Sequence, residues 1–90
     1  MRIVYSSKFK INLRKLTKGK REVGVEVADV VQTIVENPNY PGLRLHKLKN
    51  DLREYWSVSV NEDLRIVLYF KSNSIVLVNI GTHKDVYNVN

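Results

Sequence analysis

In the run Glu54-Tyr55-Trp56-Ser57-Val58-Ser59-Val60, the large apolar residues Trp56, Val58 and Val60 alternate with Tyr55, Ser57 and Ser59. A period of two is the signature of a strand with one face in a core and one face outside it. A turn at Asn61-Glu62-Asp63 leads into a second strand, Arg65 to Lys71. A hairpin at Lys71-Ser72-Asn73 leads into a third, Ser74 to Ile80. Three strands joined by short polar turns predict an antiparallel meander. Trp56, Val58 and Val60 are expected to face whatever covers the sheet. Ser57 and Ser59 are expected on a face left open.

Upstream lie the elements that do the covering. Ser6 or Ser7 caps a helix running to about Thr17, with Phe9, Leu13 and Leu16 on one side. Lys18-Gly19-Lys20 is a short break, and a second helix spans about Arg21 to Glu36. Val23, Val27, Val30, Val31, Ile34 and Val35 repeat at helical spacing for more than three turns, which outweighs the low helix propensity of valine. Asn37-Pro38 ends it, because the residue before proline avoids the α region. The tight link makes the two helices antiparallel neighbours. Arg2 to Ser6 reads as a first strand. Asn37 to Asn50 reads as a loop, with Leu43 to Leu48 extended in part. The expected fold is α+β, with two N-terminal antiparallel helices packed on one face of a twisted, mainly antiparallel sheet of about four strands. Residues 1–90 make a single domain of the usual size.

Composition narrows the function. The chain has no cysteine, which removes disulfide scaffolds, thiolate metal sites and a cysteine nucleophile. The two histidines, His46 and His83, show no zinc-ligand spacing, so neither a metal nor a cofactor is expected. The start of the chain reads as a strand rather than a signal peptide. No apolar run nears the ~20 residues of a membrane span, so a cytoplasmic protein is expected. Formal net charge is +6, from fifteen basic and nine acidic side chains. Eight of the basic residues lie between Arg2 and Arg21 and four between Arg44 and Arg53, whereas Glu22, Glu26, Asp29 and Glu36 fall between the two clusters. Such segregation points to a polyanionic partner.

The candidate chemistry is sparse. His83 follows Gly81 just past the end of the third meander strand, in a turn that would present it at the sheet edge, with Tyr87 close by. Arg65 opens the middle strand, and a guanidinium is suited to holding a phosphate by two points. Asp63 either pairs with Arg65 or makes the turn. Lys47, Lys49 and Arg53 form a solvated charge run or a phosphate-tracking strip. Lys84 sits beside His83. Ser57 and Ser59 would line the open face. Cleaving RNA without a metal requires removing a proton from the ribose 2′-OH, giving one to the departing 5′-oxygen, and placing positive charge around the phosphorus. Histidine suits either proton role near neutrality, arginine the charge role, and an aromatic ring can stack on a splayed base.

Four stretches in order carry a family resemblance: His46-Lys47-Leu48, Tyr55-Trp56, Asp63-Leu64-Arg65-Ile66-Val67-Leu68-Tyr69 and Gly81-Thr82-His83-Lys84-Asp85-Val86-Tyr87. Together they resemble toxins of the RelE/ParE superfamily, and most of all its YafQ-like branch, over nearly the whole chain. The resemblance implies a compact α+β domain whose first strand lies beside the later ones. It implies an endoribonuclease that cuts messenger RNA in the ribosomal decoding site, held inactive by a cognate antitoxin in a hetero-oligomer. By position, His83 matches a histidine that acts as general acid or base, and Tyr87 an aromatic position. His46 matches the histidine of the loop before the meander, Asp63 an acid and Arg65 an arginine that holds the phosphate. Ser57 and Ser59 stand where some members carry lysines, Ser59 also where the YafQ-like branch has another histidine, and Leu64 where that branch has a tryptophan. Two further readings stay open: a ParE-like toxin that poisons gyrase by binding, and a RelE-like binding module that has lost catalysis.

Overall fold

A computed structural model describes residues 1–49 and 54–87. Strand β1 (Arg2–Tyr5) enters helix α1 (Ser7–Thr17), and helix α2 spans Arg21–Glu36. A single 3-10 turn (Pro41–Leu43) precedes a two-residue strand β2 (His46–Lys47). Strands β3 (Trp56–Ser59), β4 (Leu64–Lys71) and β5 (Ser74–Thr82) form the meander, and a one-turn helix α3 (His83–Val86) follows.

Each boundary has a local cause. Ser6 is extended, and its Oγ accepts from the Phe9 N–H at 3.0 Å, capping α1. Gly19 sits at φ +72, a conformation glycine adopts without steric cost, and reverses the chain between the helices. Asn37, ahead of Pro38, is extended and ends α2. The valine-rich segment is helical because its apolar side chains have somewhere to go: Val27, Val31 and Ile34 are buried. Val35 is not part of that buried stripe and remains 39% exposed.

The sheet has five strands in the order β1-β5-β4-β3-β2. β1 runs parallel to β5 at one edge, and every other pairing is antiparallel. The fifth strand, beyond the four expected, is β2, formed where the loop pairs His46 with Ser57 and Lys47 with Trp56. One face of the sheet packs against α1 and α2. Phe9, Val27, Val31, Ile34, Val58, Ile66, Leu68, Ile75 and Leu77 form the centre of that core, with Trp56 and Val60 against it as expected. Removing a side chain such as Phe9, which has no exposure, costs about 3–5 kcal/mol.

A register shift interrupts the β4–β5 ladder. Val67 pairs with Asn79 but Leu68 pairs with Leu77, so Val78 is left over as a bulge. Its carbonyl accepts from Ser6 Oγ at 2.7 Å. The same hydroxyl thus caps α1 and ties it to β5.

The second sheet face differs from the expectation. Ser57 and Val67 have no exposure, although the face was expected to lie open. The reason is α3. Gly81-Thr82 belongs to β5, and His83 starts a helix rather than sitting in a turn, because Thr82 Oγ accepts from the Asp85 N–H at 3.3 Å. The chain then folds back and buries Val86 completely.

Candidate active site

His46, Ser57, Ser59 and Arg65 share the sheet face opposite α1 and α2. Residues directly opposite on neighbouring strands point the same way. The β2–β3–β4 register therefore puts His46, Ser57 and Val67 in one cross-strand row. Ser59, Arg65 and Gly81 make the next row on the same face. Arg65 is half-buried, and its Nη1 donates to Ser59 Oγ at 3.2 Å, so Ser59 rather than Asp63 fixes the guanidinium.

Helix α3 brings in the remaining groups. The Tyr87 hydroxyl donates to Ser57 Oγ at 3.3 Å. The rings of His83 and Tyr87 meet edge to face, with centroids 5.0 Å apart. Ser57 is therefore a support for Tyr87, and His83 stands exposed beyond Tyr87. The helix is anchored through a buried amide. Asn79 Nδ2 donates to the Val86 carbonyl at 3.2 Å. Its Oδ1 accepts from Asn12 Nδ2 at 2.6 Å and from the Ile80 N–H at 2.9 Å. The bulge at Val78 re-aims Asn79 so that one side chain joins α1, β5 and α3.

The exposed His46 ring is also set from behind. Its Nδ1 lies 3.1 Å from the Arg44 carbonyl. A carbonyl only accepts, so Nδ1 carries the proton in this contact and Nε2 is the free ring nitrogen.

Two clefts flank the β3–β4 hairpin, whose tip residues Asn61 and Glu62 line both. One, of about 540 Å³, is walled by Leu16 of α1 and Val23 of α2 as well as by Lys20, Asp63, His83 and Lys84, and it includes neither Arg65 nor His46. The other, of about 240 Å³, holds Arg44, Ser59, Glu62 and Arg65. Asp63 itself stands in a turn stapled by Asn61 Oδ1, which accepts from the N–H groups of Asp63 and Leu64 at 2.8 and 2.9 Å.

Not every residue singled out from the sequence converges. Lys47 pairs with Trp56 and so points to the sheet face opposite His46. Lys49 is exposed in the loop after β2. Arg53 lies outside the described residues. Among the described residues, no group of three or more His, Cys, Asp or Glu side chains stands together as a metal site.

The family model for YafQ, the bacterial toxin of a type II toxin-antitoxin system, matches residues 1–88. The chain belongs to the YafQ toxin family. Its fold is shared with solved structures in which the same architecture recurs. A metal-bound toxin from Helicobacter pylori is 28% identical, with a TM-score of 0.81 over 97% of this chain and 99% of that one. YafQ from E. coli is 18% identical, with a TM-score of 0.81 over 98% and 100% of the two chains. A YoeB–YefM complex from Staphylococcus aureus is similar at 19% identity, with a TM-score of 0.77 over 92% and 97%. No curated protein sequence matches the chain.

Within this YafQ-family chain, sequence reading missed three contributors. Asn79 carried a visible signal, a lone amide inside the apolar run Ile75 to Ile80. Asn12 carried none and Arg44 only its place in a basic cluster, because their contacts depend on partners far away in sequence or on backbone conformation.

Proposed function

We propose that this toxin is an endoribonuclease that cleaves messenger RNA on the ribosome and thereby stops translation. The observation that supports the reading most is the shared sheet face. His46, Ser59 and Arg65 lie on it, and α3 sets Tyr87 on Ser57 with His83 against the Tyr87 ring.

His46 Nε2, free because Nδ1 is engaged by the Arg44 carbonyl, takes the proton of the ribose 2′-OH. The 2′-oxygen attacks the adjacent phosphorus and the bond to the 5′-oxygen breaks. His83 gives that oxygen a proton, leaving a 2′,3′-cyclic phosphate and a 5′-OH. Arg65, held by Ser59, stabilises the charge gathering on the phosphate oxygens. Tyr87 orients the nucleotide, and Asp63, in the cleft it shares with His83, supports the histidine. Lys84 contributes positive charge beside them.

The partner is an acidic antitoxin. A type II family and a structural relative solved as a YoeB–YefM complex both support this reading, as does the net charge of +6. Both the toxin and its message belong in the cytoplasm. Among the described residues, no helix is long and apolar enough to cross a membrane.

The test uses purified ribosomes translating a defined message, with cut sites mapped by primer extension. Wild-type protein is expected to cut the message, and His83→Ala to lower the rate by about 10²–10⁴-fold, the usual worth of a general acid. Intact message together with inhibited gyrase would select a ParE-like toxin instead. Undiminished cleavage by His83→Ala would overturn the assignment of His83.

A further inference from the structure

Among the described residues, Arg44 is one of two non-glycine residues with positive φ, at φ 53 and ψ 45, in the left-handed region. The other, Ser72, turns the β4–β5 hairpin. A residue with a Cβ pays roughly 1–2 kcal/mol in this region, and glycine or asparagine would sit there with less strain. The backbone of Arg44 is nevertheless pinned on both sides. Its N–H donates to the Pro41 carbonyl at 3.1 Å, and its carbonyl accepts from His46 Nδ1 at 3.1 Å. Arg44 lines the 240 Å³ cleft together with Arg65 and Ser59. Strain held in place beside a site is a reason to look for a ligand there.

Two arginines lining one small cleft are suited to an anion. The cleft is smaller than the ~300–1,000 Å³ pockets that enclose whole drug-sized ligands, which suits a phosphodiester link rather than a nucleoside. Glu62 also lines it and supplies the one carboxylate among the lining residues. Arg65 is oriented by Ser59 from within the sheet, whereas Arg44 approaches from the loop that carries His46.

We infer that Arg44 is a second phosphate-binding residue, which holds the RNA phosphate next to the one on Arg65 and, through its own backbone carbonyl, couples that grip to the orientation of His46. The inference rests on the nuclease reading for the identity of the ligand, and it is separable from it by experiment.

The decisive measurement is equilibrium binding to a short single-stranded RNA made non-cleavable by 2′-O-methylation, for wild type, Arg44→Asn and Arg44→Lys. Asparagine removes the charge yet tolerates the left-handed backbone, so the fold is retained, and thermal unfolding checks this. Arg44→Asn is expected to weaken binding about 10-fold and to flatten the salt dependence by ~0.7 in log–log slope, the share of one phosphate on a single strand. Arg44→Lys is expected to keep the salt slope and lose only part of the affinity. Replacing a single RNA phosphate by a neutral methylphosphonate should weaken wild-type binding while leaving Arg44→Asn nearly indifferent. Unchanged affinity and slope in Arg44→Asn would overturn the inference, whether or not the wild type cuts RNA. Weakened binding by Arg44→Asn beside a wild type that cuts nothing on ribosomes would uphold it and remove the nuclease reading alone.

Discussion

The rings of His83 and Tyr87 meet edge to face, and the Tyr87 hydroxyl ties that ring to Ser57. The two contacts can be separated. Tyr87→Phe keeps the ring and loses the bond to Ser57, leaving a fully buried serine hydroxyl without that donor. Stability is expected to fall by about 1 kcal/mol in denaturant titration. Message cleavage is expected to fall only a few-fold, since the ring against His83 remains. Tyr87→Ala should reduce cleavage much further. Equal rates for the two variants would show that the ring contact contributes nothing. The sequence made His83, His46, Arg65 and Tyr87 visible as reactive or aromatic residues near strand ends. It put Ser57 on the right face but left that face open, because alternation says only that Ser57 points away from Trp56 and Val58. It says nothing of a helix that returns to cover that face.

At the level of elements, α3 is a single turn, too short to be stable alone. Its position comes from Val86 in the interior and from Asn79. Asn79→Ala removes the acceptor used by Asn12 and Ile80 and the donor used by the Val86 carbonyl. A loss on the order of 2–3 kcal/mol is expected in chemical denaturation, from buried polar groups left unpaired. Cleavage should fall as well, because His83 and Tyr87 ride on the loosened turn. A variant as stable and active as the wild type would show that α3 does not depend on this amide. Helix and strand types were legible in advance, since they follow from local spacing of apolar residues. The bulge at Val78 was not, because it is a mismatch between two strands rather than a property of either. An extended stretch within Leu43 to Leu48 was expected, but that His46 and Lys47 join the sheet depends on pairing with Ser57 and Trp56.

For the whole molecule, charge is the dominant long-range feature. The net charge of +6 is a property of composition, but its use depends on where the fold puts each cation. Lys47 is turned away from the His46 face, whereas Arg44, Arg65, Lys20 and Lys84 line the two clefts at the hairpin tip. If three of these cations each neutralise one phosphate, binding to single-stranded RNA should lose affinity with salt at a log–log slope of about −2. A fluorescence titration across salt concentrations measures it. A slope near zero would mean that this positive surface does not face RNA, and would favour an acidic antitoxin as its sole partner.

The sequence by itself determined the class of fold, the two helices, the meander and the inventory of reactive side chains, because the period of apolar residues and the chemistry of a side chain are local. The tertiary structure alone decided which of those side chains share a face, that α3 closes over Ser57, and that Arg44 stands beside Arg65 in a left-handed backbone. Register, bulge and cover all arise between segments far apart in the chain. Ser6 with Val78 and Asn12 with Asn79 are such pairs, and no local pattern encodes them.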